Sequence, residues 1–295
     1  MKMIAAALVI GMTGSAFAAD LASKKEPAPA PSLPSPWDFE VGAGLTSDYI
    51  FRGITQSNHR PSVAAHGELR YNFNENWQAY AGVSGESIKL NPYVAGPAME
   101  LDGYGGLRAT YGAFGLDAGA IIYGYPNTPV PTFAPRTITW FELYAKPTYT
   151  VNDWLTVGGN FFYTPSYLNT GAPGEYLSAT AKVTLPYNFA LSGEIGHQWL
   201  GRTGLNWAGY LASNVGYEPF KLPGYTYWNV GASYTFKFAT LDVRYHGTNL
   251  SRSSAAQLTG IYNNGVTPFG QAHSTYGRAA FVATLSFALT SKDLK

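Results

Sequence analysis

The 295-residue chain contains no cysteine, which removes disulfide frameworks, thiol nucleophiles and cysteine-ligated metal sites together. Charge is scarce as well. Asp, Glu, Lys and Arg make up 13% of the residues, about half the share usual in soluble domains. Their near balance leaves a formal net charge of +1, so a long-range pull toward nucleic acid has no source. Beyond the N-terminus there is no run of 18 apolar residues, as a membrane-spanning helix would need. What the chain has in quantity is aromatic residues (15%, with 22 Tyr, 16 Phe and 7 Trp) and 33 glycines. Poor in charge and rich in aromatics and glycine, this is the composition of a β-barrel that crosses an outer membrane.

The first residues read as a leader rather than as part of the fold. Lys2 precedes an apolar run from Ile4 to Met12, and Ala16-Phe17-Ala18 forms a small-residue cleavage pattern. That run falls short of the ~20 residues a spanning helix requires, so residues 1–18 are expected to be a signal peptide. Residues 19–36 follow as a Pro/Ala-rich periplasmic linker. The five prolines Pro27, Pro29, Pro31, Pro34 and Pro36 favour extended polyproline II over sheet pairing.

From Trp37 the hydrophobic pattern has a period of two. Phe39, Val41, Ala43, Leu45, Tyr49 and Phe51 fall on one side, with Glu40, Gly42, Thr46, Asp48 and Arg52 on the other. Val63, Ala65, Leu69 and Tyr71 repeat the pattern against His66, Glu68 and Arg70. Further strands are expected near 77–88, 100–111, 114–125, 138–149, 154–164, 175–186, 189–199, 225–236, 240–249 and 275–289. The total is twelve, an even number as single-chain bacterial barrels have. The barrel is expected over 37–289, followed by a short tail at 290–295.

Charges then fall on the side opposite the apolar residues. Glu86, Glu100, Asp102, Arg108, Asp117, Glu142, Lys146, Lys182, Glu194, Asp242, Arg244 and Arg278 all do so, with Glu40, Asp48, Arg52, Glu68 and Arg70 before them. These seventeen residues are the candidate pore-lining set. The outward series Trp228, Val230, Ala232, Tyr234, Phe236 and Ala279, Phe281, Ala283, Leu285, Phe287 would face lipid. Connections alternate short (74–76, 112–113, 150–153, 187–188, 237–239) with long (53–61, 91–98, 126–136, 165–174, 200–224, 250–274). Aromatics such as Trp37, Phe73, Trp77, Phe114, Tyr149, Trp154, Phe189 and Phe236 gather at the short-turn end, where an interfacial girdle belongs. The fold class is all-β: a transmembrane antiparallel up-and-down β-barrel of twelve strands.

The segment Gly44-Leu45-Thr46-Ser47-Asp48-Tyr49-Ile50-Phe51-Arg52-Gly53-Ile54-Thr55-Gln56-Ser57 resembles the opening of the TorF family of proposed outer-membrane porins. Tyr123-Gly124-Tyr125-Pro126, Phe141-Glu142-Leu143-Tyr144 and Tyr163-Thr164-Pro165-Ser166-Tyr167 extend the likeness. The resemblance implies a barrel and a channel role, and supplies no catalytic residues. Barrels of this kind usually finish on an aromatic residue, whereas here Phe287 is followed by ALTSKDLK.

Enzymatic and cofactor signatures are missing. The histidines His59, His66, His197, His246 and His273 form no H-x-x-x-H or H-E-x-x-H pattern, so no metal ligand set is expected. The neighbours His273-Ser274 lack the third member and the geometry of a hydrolase site. No catalytic residue and no cofactor is expected. Asp48 with Arg52, and Asp242 with Arg244, read either as interior salt-bridge ladders or as selectivity elements. The expected function is passive diffusion of small polar solutes or ions across the outer membrane, with weak cation preference. The alternative is a non-conducting structural or surface-recognition barrel. Expected partners are outer-membrane lipid, the barrel-assembly machinery and small solutes, not nucleic acid.

Overall fold

The structure, a computed structural model, describes residues 36–90, 97–126, 138–204, 219–259, 273–291 and 293. The expected signal peptide and nearly all of the expected linker lie outside the described residues.

Twelve strands close into one antiparallel barrel, and two short ones, β2 (Ile50–Phe51) and β3 (Ile54–Thr55), pair only with each other. The barrel strands are β1 (Trp37–Thr46), β4 (Ser62–Asn72), β5 (Trp77–Ser87), β6 (Met99–Tyr111), β7 (Phe114–Gly124), β8 (Trp140–Thr150), β9 (Leu155–Thr164), β10 (Gly174–Thr184), β11 (Phe189–Leu200), β12 (Tyr225–Phe236), β13 (Ala239–Thr248) and β14 (Ala280–Thr290). Each pairs with the barrel strand before and after it, and β1 closes the ring on β14 with Ala43 opposite Phe287. Closure leaves no sheet edge unpaired, the condition for strands to sit in lipid. Among the described residues no helix is long and apolar enough to cross a membrane.

The strands form where the period-two pattern put them, and local turn chemistry sets their ends. Asn74 Oδ1 accepts from the backbone N–H groups of Asn76 and Trp77, both at 2.9 Å. Asn152 repeats this with Trp154 and Leu155. Such side-chain mimicry of a turn is what asparagine provides. At 187–188 both central residues, Tyr187 and Asn188, have positive φ, the primed turn whose twist matches flanking strands.

Side chains alternate across the wall as expected. Val83 and Phe281 are 65% and 76% exposed on the outside, while Ser84, Glu86, Val282 and Thr284 are buried within. At the short-turn end Trp37 packs edge-on to Tyr71 at 4.9 Å, and Trp77 Nε1 donates to Tyr111 Oη at 2.6 Å. These rings are half-exposed, forming the outward aromatic belt that the sequence indicated.

Three stretches depart from expectation. The first strand stops at Thr46 instead of running on through Arg52. Residues 47–61 turn into the barrel and carry the small hairpin of β2 and β3. Tyr49 and Phe51, expected to face lipid, are instead 2% and 7% exposed. At the other end of the chain, β14 begins at Ala280, five residues later than expected, and ends at Thr290. Before it, residues 275–278 form a turn in which Arg278 N–H donates to Thr275 O at 3.1 Å. A short helix, α1 (Arg252–Thr259), lies in the connection between β13 and β14 and was not foreseen. It buries Ala255, Ala256 and Leu258.

Candidate functional site

The barrel interior is polar, charged and densely hydrogen-bonded. Toward the short-turn end runs a chain of alternating charges. Arg70 reaches Glu40 at 2.7 Å, Glu68 at 2.5 Å and Asp38 at 3.8 Å. Arg108 also binds Glu68 at 2.7 Å, extends to Asp117 at 3.4 Å, and lies 3.7 Å over the ring of Tyr80. Tyr80 Oη donates to Asp117 at 2.5 Å and meets Tyr144 Oη, and Lys146 sits 4.3 Å over the Tyr144 ring. On the opposite wall Arg244 holds Asp242 at 2.9 Å, Asn229 at 2.5 Å and Ser192 at 2.8 Å. Glu194 accepts there from Tyr176, Asn160 and Asn229. Every one of these charges belongs to a strand whose parity turns it inward.

The inserted segment closes the other half. Its hairpin tip is Arg52-Gly53, with φ of 44° and 83°. Two positive φ values make a primed turn, for which Asn-Gly is the ordinary choice. Arginine at the first position carries backbone strain, so its side chain must be sought for what it contacts. It is 1% exposed and forks onto Glu142, Nη1 to Oε1 and Nη2 to Oε2, both at 2.8 Å. Nη1 also donates to Gln198 Oε1 at 2.8 Å. The guanidinium carbon lies 4.4–4.7 Å from the ring centres of Phe51, Phe162 and Tyr176. Gly53 touches the far wall: a Cβ there would sit 2.2 Å from Thr248 Cγ2 and 2.9 Å from Tyr227 Cδ2. Glycine is required at this tip by both φ and space.

Polar contacts hold the base of the insert. Asp48 accepts from Thr55 Oγ1 at 2.5 Å and Ser57 Oγ at 2.9 Å, and pairs with His59 Nδ1 at 2.8 Å. His59 Nε2 lies 3.0 Å from Thr275 O. Tyr49 Oη donates to Glu100 at 2.5 Å, and Lys89 N–H to Gln56 O at 2.8 Å. Between insert and wall a cavity of ≈ 20 Å³ remains, bordered by Asp48, Tyr49, Glu86 and His246. That is room for about one water, not for a solute.

Asp48 and Arg52 therefore share no strand face and do not pair. Each has its own partners, because the chain reverses between them. Arg278, expected inside, is exposed in the turn before β14. The other fourteen members of the expected set occupy inward positions, with Glu40, Arg70, Lys182, Glu194 and Arg244 half-buried and the rest buried. Several interior residues were missed, namely Asp38, Gln198, Asn160 and the tyrosines. Asp38 could have been found, since it precedes Glu40 by two on the same side of β1.

Glu86, Glu100 and Asp102 offer carboxylate oxygens all within 4.8 Å of one another, an oxygen set of the kind hard cations take. Hydrogen bonds from Tyr49 and Ser84 already serve it. Ser274 is buried while its neighbour His273 is exposed, and Ser274 Oγ accepts from Tyr276 N–H at 3.3 Å. Ser57, Asp48 and His59 touch, yet the imidazole's remaining nitrogen faces a carbonyl rather than the serine, which is not the triad arrangement.

A closed twelve-stranded antiparallel barrel with an apolar exterior and a charged interior is the architecture of a transmembrane β-barrel protein. The chain belongs to the family described as bacterial protein of unknown function (Gcw_chp), whose model matches residues 30–276. A comparison with curated proteins finds no match. Among solved structures the barrel is similar to the NanC porin, at 11% identity and a TM-score of 0.47 over 85% of this chain and 100% of that one. It is similar to an outer membrane channel from Pseudomonas putida F1, at 12% identity and a TM-score of 0.45 over 90% and 100%. It is also similar to the KdgM porin, at 8% identity and a TM-score of 0.41 over 85% and 98%. These are likenesses of barrel outline; the fold rests on the strand pairing itself.

Proposed function

We propose that the protein is an outer-membrane channel for small polar solutes or ions, weakly cation-preferring, whose interior is held shut by the 47–61 insert. The observation that carries this reading is the contrast of surfaces. The wall buries a ladder of hydrogen-bonded charges inside and exposes Val41, Leu45, Val63, Val83, Val230 and Phe281 outside. A barrel built only to be solid has no need of so many interior charges, each costly to desolvate. The TorF likeness points the same way, and residues 1–18 would be removed on export to leave Ala19 or Asp20 first, which intact mass reports.

The packed interior also favours the rival, a non-conducting barrel that presents its loops. Planar-bilayer recordings separate the two. Wild-type protein should conduct little or in brief openings, and a variant with residues 49–60 replaced by a short Gly/Ser linker should conduct steadily. Silence from both variants would overturn the channel reading in favour of the rival.

A further inference from the structure

Arg52 is held like a ligand. Except for Phe51, the groups that hydrogen-bond or stack on its guanidinium belong to the barrel wall: Glu142 on β8, Phe162 on β9, Tyr176 on β10 and Gln198 on β11. The wall groups are fixed by contacts of their own. Tyr123 Oη donates to Glu142 Oε2 at 3.0 Å. Gln198 Nε2 donates to Glu175 O at 3.1 Å, which turns its oxygen inward toward the guanidinium. Tyr176 Oη donates to Glu194 at 2.9 Å. Phe162, Tyr176, Glu142 and Gln198 are all 2% exposed or less.

We propose that these four wall residues form a binding site for terminal guanidinium or amidinium cations, which Arg52 of the insert occupies as a tethered stand-in. The geometry selects that class. Two parallel N–H groups meet the two oxygens of Glu142 at equal distances, a fork that an ammonium cannot reproduce. Flat aromatic faces beside the cation favour a planar, weakly hydrated ion. Arg52 Nε has no hydrogen-bond partner among the described residues, so only the two terminal nitrogens are read and the atom behind them is free to vary. The strained φ of Arg52 shows the side chain being delivered to a site rather than the turn being served by its residue.

Withdrawal of the insert would leave Glu142 buried and uncompensated unless another cation took the place of Arg52. A guanidinium solute would thus favour the withdrawn insert. Only that step rests on the channel reading; the site itself stands on the wall geometry.

The test reads binding, not current. Refolded Arg52→Ala protein in detergent is titrated with N-ethylguanidinium, acetamidinium, ethylammonium and urea by calorimetry. Both fork-shaped cations should bind at least tenfold more tightly than to wild type, where Arg52 competes. Ethylammonium and urea should bind at least tenfold more weakly, and Arg52→Ala/Glu142→Gln should lose the selectivity. Equal binding by wild type and Arg52→Ala, or an unchanged preference after Glu142→Gln, overturns the proposal. If Arg52→Ala does not refold, the insert-replaced variant takes the same titration. If neither refolds alone, N-ethylguanidinium but not ethylammonium should raise the refolding yield, and equal yields count against the site. A barrel that conducts yet fails here refutes the site and not the channel; one that binds yet never conducts does the reverse.

Discussion

Glu68 is the residue on which the largest charge network turns. Its two oxygens accept from Arg108 at 2.7 and 2.9 Å and from Arg70 at 2.5 Å. Its side chain is 2% exposed, and so lies where screening by water is weak. Replacing it with alanine leaves two guanidiniums facing each other with their shared anion gone. Breaking a buried pair in this way costs about 3–5 kcal/mol. Arg70 sits at the short-turn end, and two of its other ion-pair partners, Glu40 and Asp38, are more accessible. Its loss should cost on the order of 1 kcal/mol, since solvated carboxylates can rehydrate. Urea unfolding of the refolded barrel, followed by tryptophan fluorescence, should therefore rank Glu68→Ala well below Arg70→Ala. Equal midpoints for the two would mean that the interior is wetter than its burial indicates.

At the scale of the strand, parity decides what a substitution meets. Val230 on β12 and Phe281 on β14 point outward, and arginine at either should cost roughly 2–4 kcal/mol if lipid lies there. The comparison position must be chosen from the structure, because parity alone is not enough. Asn229 faces inward but is buried between Glu194, Tyr227 and Arg244, so arginine has no room. Ser233 also faces inward, is half-buried, and lies opposite Asp242; arginine there should cost much less. Refolding yield and stability in lipid vesicles give the ranking, and equal tolerance at Phe281 and Ser233 would put water, not lipid, outside the barrel. The same parity explains how far the sequence could be read. Twelve strands and nearly every interior charge were legible because a one-residue slip would send a whole strand's charges into lipid. The insert was not legible. Tyr49-Ile50-Phe51-Arg52 alternates like a strand, and a hairpin packed inside the barrel satisfies that alternation as well as the wall does. The signal was Arg52-Gly53 itself, a pair that reads as a turn only once both residues are known to have positive φ. The late start of β14 has a related cause, since Ser274 and Tyr276 are buried by loop packing rather than by sheet parity.

For the whole molecule, the balance of interior charge sets what an opened barrel would pass. Seventeen residues were expected inside, ten acidic and seven basic. Arg278 is exposed in the turn before β14 and Asp38 joins the interior, so the described residues give eleven acids against six bases along the interior wall and insert, a surplus of five rather than three. Most of this charge is paired: Arg70, Arg108 and Arg244 each hold at least one carboxylate, and Arg52 holds Glu142. The insert contributes Arg52, so replacing residues 49–60 removes a base, unmasks Glu142 and deepens the acidic surplus along the cleared path. Acidic side chains lining a narrow pore favour cations, and salt screens the unpaired remainder within about 10 Å at 0.1 M. The insert-replaced variant in a tenfold KCl gradient should therefore show a reversal potential on the potassium side. Glu142→Gln in that background should move it toward zero. A reversal potential on the chloride side would mean that charges in the long connections, not the wall, govern the narrowest point.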